Sequence, residues 1–256
     1  VLFKPVNLTN LVLQNSYIII MALGMLLVIV GGHIDLSVGS VAGFVGAVAA
    51  VMMVQYKIDP ITTTLACLVL GGLIGASQGY WIAYMKIPSF IVTLAGMLVF
   101  KGLALWILGG MSVGPFPREF QLLSAGFIPD VVGPVTLFGT PFHSTTLLIG
   151  IAIVAAMFWF SVRSRRARES HGYAAEPFGL FVAKNVIIGG MVLFLIFMLA
   201  SYRGLPNVLI VMGVLIALFV FVTKRMTIGR RIYAMGGNVK AAALSGIKTE
   251  RLTFFV

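Results

Sequence analysis

Charge and cysteine are both scarce in this sequence. Charged residues make up 10% of the 256 positions and hydrophobic residues 60%, and the mean hydropathy is +1.07. A soluble domain usually carries about a quarter charged residues, so this chain cannot cover a core with a polar surface. The single cysteine, Cys67, allows no disulfide within the chain and indicates no metal cluster. These shortages exclude a soluble domain and a disulfide-stabilised module, and they predict an integral membrane protein.

Acidic residues are rarer still, and the formal net charge is +11. Twelve of the 18 basic residues lie in two segments, 163–184 and 224–251. No basic surface is interleaved with aromatic residues, as binding of single-stranded nucleic acid would need. Clusters of this kind are typical of the cytoplasmic loops of membrane proteins. We therefore expect no nucleic-acid partner.

The apolar runs predict an all-α, polytopic helix bundle. A helix needs about 20 apolar residues to cross roughly 30 Å of hydrocarbon, and a closed barrel would instead show short alternating segments. Within a single transmembrane domain covering 1–256, we predict seven spans, at 10–31, 39–56, 61–85, 88–108, 144–162, 185–202 and 205–223.

The charges of the loops predict the topology. Segment 163–184 has five basic and two acidic residues, and the coupling segment, defined as 224–252, is also strongly basic. Both are predicted to be cytoplasmic, whereas loop 109–143 is predicted to be periplasmic. The chain begins at Val1 and stops within a new apolar run, "TFFV". We therefore expect an internal fragment of a longer protein, truncated at both ends and lacking one span upstream.

The stretch "GGHIDLSVGS", residues 31–40, interrupts the first long apolar run. Between Leu8 and Gln55, His33 and Asp35 are the only residues of acidic, basic or histidine type. The paired glycines predict a helix break, and Asp35 or Ser37 can cap the helix that follows. Capping is the favoured interpretation, and contact with a solute in a polar path is the alternative. The candidate residues for the break and the path are Asn15, Gly32, His33, Asp35, Ser37, Gly39, Thr93 and Lys101.

Uncharged polar residues within the predicted spans include Gln78, Ser89, Thr93 and Asn185. Hydrogen bonding between helices is their common role in membranes, and a path for a hydroxyl-rich solute would use some of them.

A short helix is predicted in the coupling segment. Asn238 is a good N-cap, Val239 to Ser245 favour helix, and Gly246 is a good C-cap residue. Such a helix suits a groove on a partner protein or a surface of anionic lipid, and the pattern alone does not separate the two.

Motifs for nucleotide chemistry are missing from the sequence. It contains no G-x-x-x-x-G-K-[ST] phosphate loop and no polar stretch long enough for a nucleotide-binding domain. We therefore expect no cofactor and no enzymatic activity, and any ATP must be hydrolysed by a separate polypeptide.

Three stretches carry a family resemblance: "GGHIDLSVGS", "KIPSFIVTLAGMLVFKGLAL" and "GRRIYAMGGNVKAAALSGI". They resemble the signature segments of permeases from bacterial ABC importers of the ribose, xylose and galactoside group. The resemblance is closest to permeases for xylose and multiple monosaccharides. It implies a multi-pass inner-membrane subunit that imports sugars of the xylose, arabinose, galactose or glucose type.

The same resemblance implies partners. They are a cytoplasmic ABC ATPase, a periplasmic sugar-binding protein and a second permease protomer, most simply in a homodimer, surrounded by membrane lipid. It assigns ATPase contact to part of the coupling segment, and so favours a protein groove over lipid. The residues concerned are Gly237, Asn238, Ala241, Ala242, Leu244, Ser245, Gly246 and Lys248.

Two other functions remain as alternatives. One is an ion-coupled secondary transporter, which would use Asp35 as its coupling carboxylate. The other is an ABC permease for another small polar solute, such as a branched-chain amino acid.

Overall fold

Helices dominate the computed structural model of the chain, which describes residues 3–137, 140–172 and 176–256. In these residues there are eleven α-helices and one β-hairpin. The helices are α1 (Pro5–Val30), α2 (Val38–Ala50, continued by a π-helical turn Val51–Gln55), α3 (Pro60–Ala83), α4 (Ser89–Leu108), α5 (Arg118–Ala125), α6 (Ser144–Ser170), α7 (Phe178–Ala200), α8 (Asn207–Arg225), α9 (Thr227–Gly237), α10 (Val239–Leu244) and α11 (Thr249–Phe255). Strands β1 (Val135–Leu137) and β2 (Thr140–Phe142) pair antiparallel, with Val135 opposite Phe142.

Seven of the described helices are long and apolar enough to cross a membrane, which confirms the predicted helical membrane fold. They are α1, α2 with its π-helical turn, α3, α4, α6, α7 and α8. Large apolar side chains point outward along them; Trp106, for example, is 77% exposed. Lipid is the solvent that makes such a surface stable.

The ends of two spans were predicted wrongly. Helix α6 continues to Ser170 rather than ending at 162, and α7 already begins at Phe178 rather than at 185. Arginine and glutamate favour helix as strongly as apolar residues do, so the loss of hydropathy at 163 ends the apolar stretch but not the helix. Helix α6 ends just before Gly172, which has a φ of +74°.

Three helices and the hairpin lie outside the predicted spans and were not foreseen: α5, α9 and α11. Helix α9 buries Gly229, Ile232 and Met235, spaced three residues apart, and exposes Arg230 and Arg231. Burial on one face only is the pattern of an amphipathic helix. Helix α9 was not predicted, because the basic residues of this segment were interpreted as loop charges.

The chain divides into two units. The first contains residues 1–15 and 124–210, and the second contains residues 16–123 and 211–256. In the second unit, α2 packs against α3 and α4, and α11 packs against α3. A separate cluster joins α9, α10 and α11 through Ile232, Met235, Ala242 and Leu252, and the end of α1 packs on it.

In the first unit, α6 packs along α7. Gly150 lies directly against Ile196, so a larger residue would not fit there. Ile196, Leu199 and Leu205 form the buried core at this end. Asp130, from the loop before α6, stabilises the first residues of this helix. Its carboxylate accepts from the backbone and hydroxyl groups of Ser144 and Thr145 at 2.8–3.2 Å.

Candidate functional site

The break between α1 and α2 begins with a glycine-terminated helix. Gly32 has a φ of +84°, a left-handed conformation that costs other L-residues about 1–2 kcal/mol. Its N–H donates to Ile29 O at 3.0 Å, and the N–H of His33 donates to Val28 O at 3.0 Å. These two bonds form the Schellman motif, which satisfies carbonyls at a helix end. The two glycines therefore end α1 without leaving those carbonyls unpaired.

Asp35 shapes the entry into α2. Its Oδ1 accepts from both the N–H and the hydroxyl of Ser37, each at 2.7 Å. Ser37 is the N-cap residue, but its side chain makes no capping bond to α2. The aspartate thus stabilises the turn that leads into the helix, rather than capping the first N–H groups of the helix itself.

Two residues of α4, Ser89 and Thr93, bond to the backbone of the break. The N–H of Ile34 donates to Ser89 Oγ at 3.1 Å. The buried hydroxyl of Thr93 lies 2.9 Å from Ser89 O and 3.3 Å from Ile34 O. The extended backbone between the two helices therefore has partners from α4, as backbone in a membrane requires.

Gln78 of α3 is the least satisfied polar group in this region. The single proton of the Ser37 hydroxyl has two acceptors, Asp35 Oδ1 at 2.7 Å and Gln78 Oε1 at 3.1 Å. The closer and charged acceptor takes it. Gln78 Nε2 is buried and has no hydrogen-bond partner among the described residues. Its Nε2 lies against Gly96, so Oε1 is the atom of this amide that is left to accept from a bound hydroxyl or water.

A cavity of about 110 Å³ opens between these groups, large enough for several water molecules. Apolar and small residues of α1, α3 and α11 form the rest of its wall. Among the described residues, no three His, Cys, Asp or Glu side chains come close enough to hold a metal ion. Five polar residues of the break, α3 and α4 line the cavity, and Ser37 is bonded to one of them, Asp35. We call these six residues the helix-break cluster: His33, Asp35, Ser37, Gln78, Ser89 and Thr93.

Several predicted path residues do not join this cluster. Asn15 donates to Leu11 O of its own helix at 2.8 Å. Lys101 is exposed on α4, eight residues beyond Thr93, or about 12 Å along the helix. Gly39 lies in the first turn of α2 with open space beside it. Gln78 and Ser89 do belong to the cluster; their only signal in the sequence was polarity within an apolar span.

The predicted helix in the coupling segment is present as α10. Asn238 Oδ1 accepts from the N–H of Ala241 at 3.0 Å, which confirms the N-cap. Gly246 has a φ of +83°, and the N–H of Ile247 donates to Ala242 O. A second Schellman motif therefore ends this helix. Ser245 bonds back to Ala241 O, Gly237 ends α9, and Lys248 is exposed ahead of α11.

The burial of Ala242 contradicts the expectation that this residue contacts an ATPase. Its side chain is 4% exposed and packs against Ile232, Met235 and Leu252 of the same chain. It therefore cannot line a partner's groove. Leu244 is 90% exposed and projects from the same helix. An apolar side chain so fully exposed at a helix end is suited to contact another protein.

The coupling segment lies against the end of α1. Gly236 packs directly on the carbonyl of Val30, where a Cβ atom would clash. Leu27 and Val30 also contact the cluster of α9, α10 and α11. This contact is one residue before Gly31, where α1 gives way to the helix-break cluster.

The described residues thus form a polytopic helical membrane protein with a polar helix break and a capped basic segment. The family model described as "Branched-chain amino acid transport system / permease component" matches residues 7–256. The chain belongs to this family and is a multi-pass protein of the inner membrane.

Among relatives, the chain is 38% identical over 245 residues to the xylose transport system permease protein of Escherichia coli, covering 96% of this chain and 59% of the relative. It is 34% identical over 250 residues to that of Haemophilus influenzae, covering 98% and 63%. The ribose import permease protein of E. coli is 28% identical over 250 residues, covering 98% and 56%. The chain thus spans about three-fifths of the length of these curated relatives. No solved structure matches it.

Proposed function

We propose that this chain is the membrane-spanning permease subunit of an ATP-driven importer for monosaccharides, with pentoses such as xylose as the first candidates. The observation that carries the proposal is the 34–38% identity to xylose permeases over nearly the whole chain. The helix-break cluster agrees with it. Sugars present hydroxyl groups that can donate, and Gln78 Oε1 is an acceptor whose nearest donor, the Ser37 hydroxyl, is bonded to Asp35.

The proposed partners are a cytoplasmic ABC ATPase, a periplasmic sugar-binding protein and a second copy of the permease. ATP is hydrolysed on the ATPase subunit. Leu244 and the capped α10 form the surface that docks on it, and the contact of Gly236 with Val30 passes the movement to the end of α1. The helix-break cluster follows at once in the chain, so the same movement alters the cavity.

Ion coupling is not favoured. Asp35 Oδ1 already accepts two hydrogen bonds from Ser37, so the carboxylate has a structural role at the helix break. A branched-chain amino acid is the solute in the description of the family, but the relatives named above are permeases for xylose and ribose.

Uptake by the full-length permease, reconstituted with its ATPase and binding protein, tests this function. We expect xylose uptake to require ATP and to survive collapse of the proton gradient by a protonophore. Unlabelled pentose should compete and leucine should not. Loss of uptake with ATP intact would support the ion-coupled alternative, and competition by leucine alone would support the amino-acid alternative.

Two neighbouring glycines test the proposed route of coupling. Gly236→Ala places a methyl group against the Val30 carbonyl, whereas Gly237→Ala meets no atom within 4 Å. We expect the first variant to hydrolyse ATP with much reduced uptake, and the second to behave as wild type. Equal uptake by both folded variants would contradict the route through Val30.

A further inference from the structure

A basic pocket lies between the end of α6 and the start of α7, away from the helix-break cluster in sequence and in a different unit. Its volume is about 140 Å³, and its polar lining consists of two serines, three basic residues and one acid: Ser161, Ser164, Arg165, Arg168, Lys184 and Glu176. The proposed transport function uses none of these residues. We call this site the basic pocket.

Arg165 is held in place but incompletely paired. Its Nε donates to Glu169 Oε1 at 2.9 Å, and its guanidinium carbon lies 4.9 Å from the centre of the Phe181 ring. Its Nη1 is buried and has no hydrogen-bond partner among the described residues. A buried N–H donor of a charged group is costly to leave unpaired. Arg165 is therefore a cation held at a fixed position in the wall of the pocket.

Positive charge exceeds negative charge around this donor. Segment 163–184 has five basic and two acidic residues. Both acids are engaged, Glu169 with Arg165 and Glu176 with Lys184 at 3.6 Å. The surplus of positive charge favours an anion with several acceptor oxygens, and a phosphate matches the forked donors of arginine.

An apolar groove continues from the basic pocket along α6 and α7. The two share Ser161 and Lys184, and the groove, of about 770 Å³, is otherwise lined mainly by residues such as Ile151, Phe158, Ile188 and Leu193. From Ser161 back to Ile151, the groove follows about 15 Å of helix. This is half of the roughly 30 Å hydrocarbon core, the depth of one leaflet.

We propose that the basic pocket and this groove together bind one anionic phospholipid. Its phosphate accepts from the guanidinium of Arg165 and from Lys184 Nζ, which also pairs with Glu176, and one acyl chain lies in the groove. A basic pocket between spanning helices on the cytoplasmic side is the setting in which anionic headgroups bind. The groove gives a reason for a lipid rather than a free phosphate, because a soluble anion would leave the apolar surface uncovered.

The test uses the full-length permease, stripped of lipid in detergent and mixed with vesicles of phosphatidylglycerol and phosphatidylcholine. Native mass spectrometry then counts the lipids retained. We expect one phosphatidylglycerol on the wild type. The double variant Arg165→Gln/Lys184→Gln should retain it at least about tenfold more weakly, since it removes two charged hydrogen-bond donors. Arg163→Gln/Arg166→Gln removes the same two positive charges from exposed neighbours outside the pocket and should retain the lipid.

A second variant separates a lipid from a free phosphate. Ala155 lines the groove, and Ala155→Trp should block the acyl chain while leaving the basic residues intact. We expect it to lose phosphatidylglycerol. Unchanged retention by Ala155→Trp, together with displacement of the lipid by inorganic phosphate, would show a soluble-anion site and overturn the proposal. Equal retention by wild type and the folded double variant, or no retained phosphatidylglycerol on the wild type, would also overturn it.

Discussion

Asp35 is the residue whose substitution best separates structure from transport. Its carboxylate makes two hydrogen bonds to Ser37 at the entry of α2. We expect Asp35→Ala to cost about 0.5–2 kcal/mol, the usual range for losing such a side-chain bond at a helix start. Asp35→Asn keeps an oxygen acceptor and should restore most of the loss. Thermal unfolding of the purified protein in detergent measures both.

Uptake by the same variants decides the role of the charge. If Asp35→Asn unfolds like the wild type and transports sugar, the aspartate serves the helix break. A stable Asp35→Asn variant without transport would contradict this assignment and would place the charge itself in the solute path.

Asp130, at the start of α6, gives the protein a dependence on acid pH. Partial burial raises the pKa of this carboxyl, but the hydrogen bonds from Thr145 and Ser144 outweigh it and hold the pKa well below its ordinary value. The bonds therefore stabilise the fold fully above the unfolded-state pKa of about 3.9. This stabilisation is lost as the pH falls below that value toward the lower folded-state pKa.

The variant Asp130→Asn removes this titration. We expect its unfolding temperature to change less between pH 5 and pH 3 than that of the wild type, since no carboxylate is protonated at this site. An identical pH dependence in the two proteins would mean that other groups account for the acid sensitivity. His143, whose Nδ1 lies 3.9 Å from Asp130, is unchanged in both.

The partners of these residues were only partly predictable. The isolation of His33 and Asp35 in an apolar run was visible in the sequence, and so was the glycine pair beside them. The contact between Ser37 Oγ and Gln78 Oε1 and the bond from Ile34 to Ser89 join residues 41 and 55 positions apart. No local pattern specifies such contacts, because they depend on how α3 and α4 pack around the break.

At the scale of elements, hydropathy predicted where spans exist better than where helices end. Each of the seven predicted spans corresponds to a helix. Helices α6 and α7 nevertheless extend past their apolar stretches. Membrane thickness limits the length of the apolar stretch, but it does not limit the length of the helix, which polar residues can continue. The short α10 was predictable because its signals are local: Asn238 caps one end and Gly246 the other.

Helix α10 shows how packing changes a prediction. The family resemblance assigned ATPase contact to both Ala242 and Leu244, but Ala242 is buried within its own chain and Leu244 is exposed. We expect Leu244→Ser to leave folding intact while reducing ATPase binding and uptake. Ala242→Trp should instead lower stability by about 1–3 kcal/mol, because it overfills a packed core.

Co-purification of the ATPase and thermal unfolding distinguish the two effects. Lys240→Gln serves as the comparison, since it removes an exposed charge from the same helix, and such charges rarely contribute more than about 1 kcal/mol. Loss of uptake in Lys240→Gln, with normal uptake and ATPase binding in Leu244→Ser, would contradict this assignment. Helix α10 would then bind lipid rather than the ATPase.

For the molecule as a whole, one of its two units carries both the helix-break cluster and the coupling segment. Both lie within residues 16–123 and 211–256. The proposed coupling route, from Leu244 through Gly236 and Val30 to Asp35, therefore lies within a single unit. The other unit contributes α6 and α7 with the basic pocket, whose charges predict the orientation of the chain by the positive-inside rule.

That orientation is tested on α6. This helix has 27 residues, or about 40 Å at 1.5 Å per residue, which exceeds the roughly 30 Å of hydrocarbon. Its two ends must therefore reach opposite faces of the membrane.

In a variant with Cys67, the single cysteine, replaced by serine, we expect Val131→Cys to react with a membrane-impermeant maleimide added from the periplasm. His171→Cys should react only after the cytoplasmic side is opened. Val131 is 81% exposed and His171 is also exposed, so burial would not explain a missing label. Labelling of both cysteines from one side would show that α6 does not span the membrane, and labelling of His171→Cys from the periplasm would reverse the whole topology.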